Sequence, residues 1–191
     1  SGREASPQHP VMTNGKASPS PILIRNEKAL QRLHGLADFF LLHNRDILTR
    51  VDVSVVRVMA GVPRLIRRAR GFAPAPLPLT MLPRPCRDTL ACGAAMKNTF
   101  CIVRNNEAYL SQHIGELSNT ENYDFYLESI GHLKDVLECE PERVVCDLHP
   151  DYLSSRYARR QTNKLIQVQH HHAHALAVVA EHGLDEPVLA L

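Results

Sequence analysis

The chain contains no tryptophan, and aromatic residues make up only 5% of its 191 positions. Single-stranded nucleic acid is held largely by stacking on such rings, so their scarcity argues against that class of binder. A dominant charge is also missing. Lys and Arg number 22 against 20 Asp and Glu, a formal net charge of +2. No bulk electrostatic attraction to nucleic acid follows from that balance, and no specific nucleic-acid partner is expected. No apolar run approaches the roughly 20 residues that span a bilayer, so no membrane partner is expected either. The start, Ser1-Gly2-Arg3-Glu4, lacks both an initiating Met and an apolar signal core. The expectation is a cytoplasmic protein, and a piece of something longer. The five cysteines form no Cys-x-x-Cys pair and no zinc-finger spacing, so they read as reduced thiols.

What remains is ordinary for a soluble globular chain: 44% hydrophobic and 22% charged residues, enough for one domain or two small ones. Residues 1–21 are rich in Ser, Pro, Gly and Asn and read as loop or extended chain. Pro21-Ile22-Leu23-Ile24 could form a short strand. Asn26 is placed to cap a helix from Glu27 to His34. Phe39-Phe40-Leu41-Leu42 is a compact apolar run, expected as a buried strand. Val51–Val58 is rich in β-branched residues, and Leu65–Arg70 is a short, strongly positive stretch. Both predict strands. Repeated prolines from Pro74 to Pro85 stiffen the backbone and mark a linker, placed at 79–85.

After the linker the pattern changes. Leu90–Ala95 predicts a strand. Asn98–Val103 and Glu107–Ser111 flank Arg104-Asn105-Asn106, a hairpin signal. Tyr126, Ile130, Leu133 and Leu137 share one helical face. Arg143–Cys146 predicts a strand, Asp151–Arg159 a helix and Leu165–Val168 a strand. His170–His182 predicts a helix closed by Gly183, and Pro187–Leu191 begins a further strand. The order βββαβαβ describes an α/β (α+β) fold, a mixed sheet with helices packed on it.

The stretch His170-His171-His172-Ala173-His174 opens that last helix. His170 and His174 then lie one turn apart on one face, where two imidazoles can hold a single divalent ion. The competing reading is a polar helix start with solvated histidines. Iron and zinc both suit imidazole.

Several blocks resemble the hydrogenase-maturation carbamoyltransferase family, HypF. They are Leu42-His43-Asn44-Arg45-Asp46-Ile47, Arg50–Arg57, Arg67-Arg68-Ala69-Arg70-Gly71-Phe72-Ala73-Pro74, Gly93–Cys101, Leu110–Leu117, Asp147-Leu148-His149-Pro150-Asp151-Tyr152 and His170–His174. They occur in family order across nearly the whole chain. The resemblance implies that residues 1–78 are the C-terminal part of a YrdC-like domain. Residues 86–191 would be the N-terminal lobe of a TsaD-like domain, which has the actin-like ATPase (ribonuclease-H-like) fold. The family takes carbamoyl phosphate and ATP, makes a carbamoyl adenylate, and passes the carbamoyl group to the C-terminal cysteine of its partner HypE. That thiocarboxamide becomes the cyanide ligand of nickel–iron hydrogenase. Bound nucleotide and a divalent metal are implied, iron or zinc at the histidines and magnesium with ATP.

Adenylate formation concentrates charge at the α-phosphate and needs fixed cations and donors. Ser54, Arg57, Arg67 and Arg70 are the candidates, with Arg68 beside them; the competing reading is a solvated basic strand face. Lys97 and Asn98 fall in the turn between the first two strands after the linker. In actin-like ATPases that turn faces the phosphates, although an exposed turn lysine needs no ligand. His149 and Asp147 end a strand where α/β sheets collect ligands, and are candidates to orient a carbamoyl group; they could instead serve helix entry. His170 and His174 are the metal candidates, with the family's further carboxylate ligand and Gly-rich nucleotide loop expected beyond Leu191. Two departures stand out. The family usually has paired aspartates where Asp52 is followed by Val53, and its Thr-Ser-Gly-Asn loop appears as Thr13-Asn14-Gly15-Lys16. The rivals are an antibiotic-type O-carbamoyltransferase, which joins the same two domain types in the opposite order, and a non-catalytic binding remnant. The chain alone is expected to be inactive and prone to associate.

Overall fold

The computed structural model describes residues 22–80, 82, 85–161 and 164–190. The Thr13–Lys16 loop therefore lies outside the described residues. The chain forms two compact units, one up to Arg50 and one of Val51–Leu191.

Among the described residues of the first unit there is one helix, α1 (Asn26–Leu33), which buries no residue. Arg25 rather than Asn26 occupies the cap position, and no side chain caps the helix. Asn26 is the first helical residue, and its Nδ2 donates to the His43 carbonyl at 2.7 Å, so its amide tethers a following loop. Phe39–Leu42 forms no strand, and Phe39 and Leu41 are 92% and 103% exposed. An apolar run becomes a buried strand only with a ladder partner and a cover, and the described residues supply neither here.

The second unit opens with a two-stranded antiparallel hairpin, β1 (Val55–Met59) and β2 (Val62–Arg67). It then builds a six-stranded mixed sheet from β3 (Leu77–Pro78), β4 (Thr89–Ala91), β5 (Cys101–Arg104), β6 (Glu107–Leu110), β7 (Arg143–Asp147) and β8 (Lys164–Val168). Three helices accompany it: α2 (Thr120–Leu137), α3 (Leu153–Arg160) and α4 (His170–His182). The βββαβαβ order expected from the sequence runs from β4 to β8. The spatial order is β3-β6-β5-β4-β7-β8, with β4–β7 and β7–β8 parallel and the other pairs antiparallel. Pro78 is tolerated because β3 is an edge strand. Pro187–Ala190 forms no strand.

Local chemistry explains the ends of these elements. Arg104 pairs with Glu107, leaving Asn105 and Asn106 as a two-residue turn with φ of 53° and 60°. Both need left-handed backbone, which Asn accepts most readily after Gly. Asn119 caps α2 by accepting from the Glu121 and Asn122 amides. Gly183 ends α4 in the left-handed conformation at φ 59°, with the Leu184 amide donating to the Val179 carbonyl.

The core lies between the sheet and α2. Leu90, Ile102 and Val144 come from three neighbouring strands, and Phe125, Tyr126, Ile130 and Leu133 come from the helix. Tyr126 is fully buried; its hydroxyl donates to the Cys92 carbonyl at 3.0 Å, and its ring meets Phe100 and Tyr157 edge-on. On α3, Ser154 and Ser155 are fully buried. Their small side chains let the helix sit close to β7, where Ser155 Oγ donates to the Asp147 carbonyl. Among the described residues no helix is long and apolar enough to cross a membrane.

Candidate active-site cleft at the carboxyl ends of the strands

The parallel register creates the site. Asp147, the last residue of β7, pairs with Val168, the last residue of β8. Two residues further on, α4 begins at His170. The Asp147 carboxylate and the first turn of α4 therefore emerge at the same edge of the sheet, where open α/β sheets gather ligands. A cleft of about 730 Å³ opens there. Its walls include Ala91, Val145, Cys146, Asp147 and Val168 from the strand ends, Tyr152, His170 and His174, and the turn that carries Lys97 and Asn98.

Within it, His170 Nδ1 lies 2.7 Å from Asp147 Oδ2. His174 Nε2 lies 3.1 Å from His170 Nε2. Two nitrogens bound to one tetrahedral ion at about 2.0–2.1 Å would sit roughly 3.3 Å apart, so this convergence fits a shared divalent cation. Among the described residues no group of three or more His, Cys, Asp or Glu side chains converges on one ion position. The pair thus fits part of a coordination sphere.

Asp147 is engaged at both oxygens, with Oδ1 accepting the His149 backbone amide at 2.8 Å. Burial alone would raise its pKa. The His149 amide and the His170 imidazole outweigh that, and hold the carboxyl below its ordinary 3.8. The contact between Asp147 and His149 thus runs through the His149 backbone, not its ring. The ring stacks on Tyr152 at 4.2 Å, and its Nδ1 accepts the Asp151 amide at 3.2 Å. That acceptance leaves Nε2 as the N–H donor of a neutral His149.

Lys97 stands on the cleft wall in left-handed backbone, at φ 50°. Asn98 is buried, and its Nδ2 donates to the Cys92 and Ala94 carbonyls. Its backbone amide donates to the Gly115 carbonyl, so Asn98 clips the turn closed. Gly93 precedes that turn at φ 69°. A Cβ there would run into the Thr99 carbonyl oxygen, and only glycine fits. Cys146 lines the same cleft, and burial raises its thiol above the ordinary 9.0, against a lowering hydrogen bond from Ser155. It stays protonated at neutral pH and offers no thiolate.

Ser54, Arg57, Arg67 and Arg70 do not line this cleft. They gather around β1 and β2 instead. Arg67 Nη1 meets the buried Asp52 carboxylate at 3.1 Å. Ser54 Oγ accepts the Ala69 amide and donates to the Arg70 carbonyl, each at 2.9 Å. The Arg70 amide donates to the Asp52 carbonyl at 3.1 Å. Arg57 is exposed and lies opposite Arg64 in the hairpin register. The sequence reading missed Tyr152, Gly93 and the contact from Asp147 to His170. The available signal was that Asp147 ends one strand and His170 follows the next, in neighbouring βα units.

A family profile described as the HypF Kae1-like domain matches residues 84–181. Carbamoyltransferase HypF of Synechocystis sp. is 46% identical over 183 residues, covering 95% of this chain and 24% of the relative. Carbamoyltransferase HypF of Rhizobium leguminosarum bv. viciae is 45% identical over 181 residues, with 95% and 24% covered. The crystal structure of full-length HypF in its phosphate- and nucleotide-bound form superposes with a TM-score of 0.86 at 45% identity, covering 92% of this chain and 28% of that one. The structure of T. kodakarensis HypF gives 0.81 at 38% identity, covering 88% and 22%. The chain spans about a quarter of the length of these relatives (24% for the first). By domain match, sequence identity and superposition together, it belongs to the HypF family of carbamoyltransferases.

Proposed function

We propose that this chain forms part of an ATP-dependent HypF carbamoyltransferase that carbamoylates the C-terminal cysteine of HypE. Carbamoyl phosphate and ATP are the substrates, and carbamoyl adenylate is the activated intermediate. In the transfer, the acceptor sulfur forms a bond to the carbamoyl carbon, the carbon–oxygen bond to AMP breaks, and the thiol proton is lost. The observation that carries this reading is the cleft itself, which joins His170, His174, Asp147 and Lys97 at the strand ends. A nucleotide-bound HypF relative at TM-score 0.86 supports ATP as a ligand.

Roles follow from the chemistry of each group. His170 and His174 would hold a divalent metal, iron or zinc, through their Nε2 atoms. Such an ion, when bound, polarises a carbonyl or phosphoryl oxygen. Lys97 supplies a point charge for nucleotide phosphates, and Asn98 keeps its turn in shape. His149 does not itself line the cleft but stacks on Tyr152, which does, and its Nε2–H group would be a donor for a carbamoyl oxygen placed at that edge. Arg57, with Arg64 opposite, forms a like-charged pair that suits a polyanion. Arg67, Arg70 and Ser54 brace the base of that hairpin beside it, and with Arg57 would face the adenylate phosphate. We place the YrdC-like part at 1–78, the linker at 79–85 and the TsaD-like lobe at 86–191, in a cytoplasmic protein.

The test is carbamoyl transfer to HypE, read by the mass of its C-terminal peptide. The full-length protein should transfer with carbamoyl phosphate, ATP and magnesium. The 191-residue chain alone should not, and turnover by it would overturn that part of the reading. His170→Ala in the full-length protein should abolish transfer.

A further inference from the structure

We infer that Asp147 is a positioning residue, whose Oδ2 fixes His170 in the tautomer that leaves Nε2 open to a cation shared with His174. This rests on the reading of His170 and His174 as a cation-binding pair.

A carboxylate only accepts hydrogen bonds, so the 2.7 Å contact requires the proton on His170 Nδ1. A neutral imidazole has one N–H, and Nε2 is then a bare lone pair. That lone pair is the atom that meets His174 Nε2 at 3.1 Å. The carboxylate cannot turn away. Its other oxygen holds the His149 amide, its side chain is only 9% exposed, and its backbone is fixed by the β7–β8 pairing. Partners of this kind set ring orientation and basicity in histidine metal sites.

The plainer alternative is that Asp147 merely closes the loop after β7. That role uses Oδ1 alone and leaves the second contact without a purpose. Asp147→Asn separates the two. The amide oxygen can still accept from His149, so the loop closure survives. The amide nitrogen is then a donor facing His170 Nδ1, and the imidazole proton is driven to Nε2, onto the proposed binding atom.

The experiment uses the full-length protein stripped of metal, with Co²⁺ as the probe, visible absorption as the readout and Zn²⁺ as competitor. Wild type should bind one more equivalent of Co²⁺ than His174→Ala. Asp147→Asn should bind about 10–100-fold more weakly, with the thermal unfolding of the metal-free protein lowered only slightly. Wild-type Co²⁺ affinity and spectrum in Asp147→Asn would overturn the proposal, as would a loss of thermal stability without a loss of affinity. Failure of the wild-type protein to bind that further equivalent of Co²⁺ would remove the cation pair and Asp147's role together. Should the variant not fold, the ring-nitrogen chemical shifts of His170 in wild type decide: a proton on Nε2 contradicts the assignment.

Discussion

The β1–β2 hairpin and the six-stranded sheet are built from similar residues and end differently. Val55, Val56, Val58, Val62 and Leu65 lie in a paired ladder, yet none of them is buried. In the larger sheet Val144 and Cys146 are buried in alternation along β7, because α2 and α3 cover that part of the molecule. Backbone pairing and β-branched side chains suffice for a hairpin's shape. Burial needs a second layer. The difference also separates the two groups of candidate residues. The cleft stands on strand ends anchored in a core, so its side chains are held by packing. The arginines around the hairpin are held in part by polar contacts: Asp52 to Arg67, Arg68 to the Ala75 carbonyl, and Ser54 to the backbone of residues 69 and 70.

This contrast can be broken by substitution. Tyr126→Ala should cost about 3–5 kcal/mol in denaturant unfolding, since it opens a cavity and removes one of the two side-chain hydrogen bonds to the Cys92 carbonyl. Val58→Thr in the hairpin should stay within about 0.5 kcal/mol in the same assay. Equal effects would mean that the hairpin is covered and the comparison false. Gly93→Ala should follow, at about 1–3 kcal/mol, from overpacking against Thr99 on a left-handed backbone. It should also disturb the turn that carries Lys97. Asn119→Ala should remove about 1 kcal/mol, with α2 fraying from its first turn in hydrogen exchange.

The smallest effect is lost in acid. The Asp147 carboxyl lies below its ordinary 3.8 in the fold. Its stabilisation is therefore complete above about pH 4 and is lost as the pH falls through the folded value. Asp147→Asn should flatten that part of an acid-unfolding curve, lying slightly below wild type near neutral pH and converging with it in acid. An identical acid limb in both proteins would show that the carboxylate is not held by His149 and His170 as described.

Much of the second unit was legible because its signals are local. Gly183 and the histidine run fix both ends of α4, Asn105-Asn106 fixes the β5–β6 turn, and Tyr126, Ile130 and Leu133 show which face of α2 is inside. Phe39–Leu42 misled because a run of apolar residues carries no information about whether anything covers it. Asn26 misled because its amide has a partner seventeen residues away, and local capping rules do not see such a partner. The site divides in the same way. His170 and His174 are one turn apart, and any helical reading pairs them. The contact from Asp147 to His170 depends on the parallel register of β7 and β8, a property of the sheet rather than of either segment.

That register carries a consequence for how the molecule forms. The β5–β6 hairpin closes across two residues and can form early. The β4–β7 pair joins Leu90 to Val144 only after the hairpin, the following loop and α2 have been brought back across the sheet. Such long closures have the greatest entropy to overcome and come late. The cleft is lined by both strands of that late pair, together with the end of β8. No early or partly folded form of this chain can present Asp147, His170 and Lys97 together, so binding competence marks the last assembly step and not the mere presence of secondary structure.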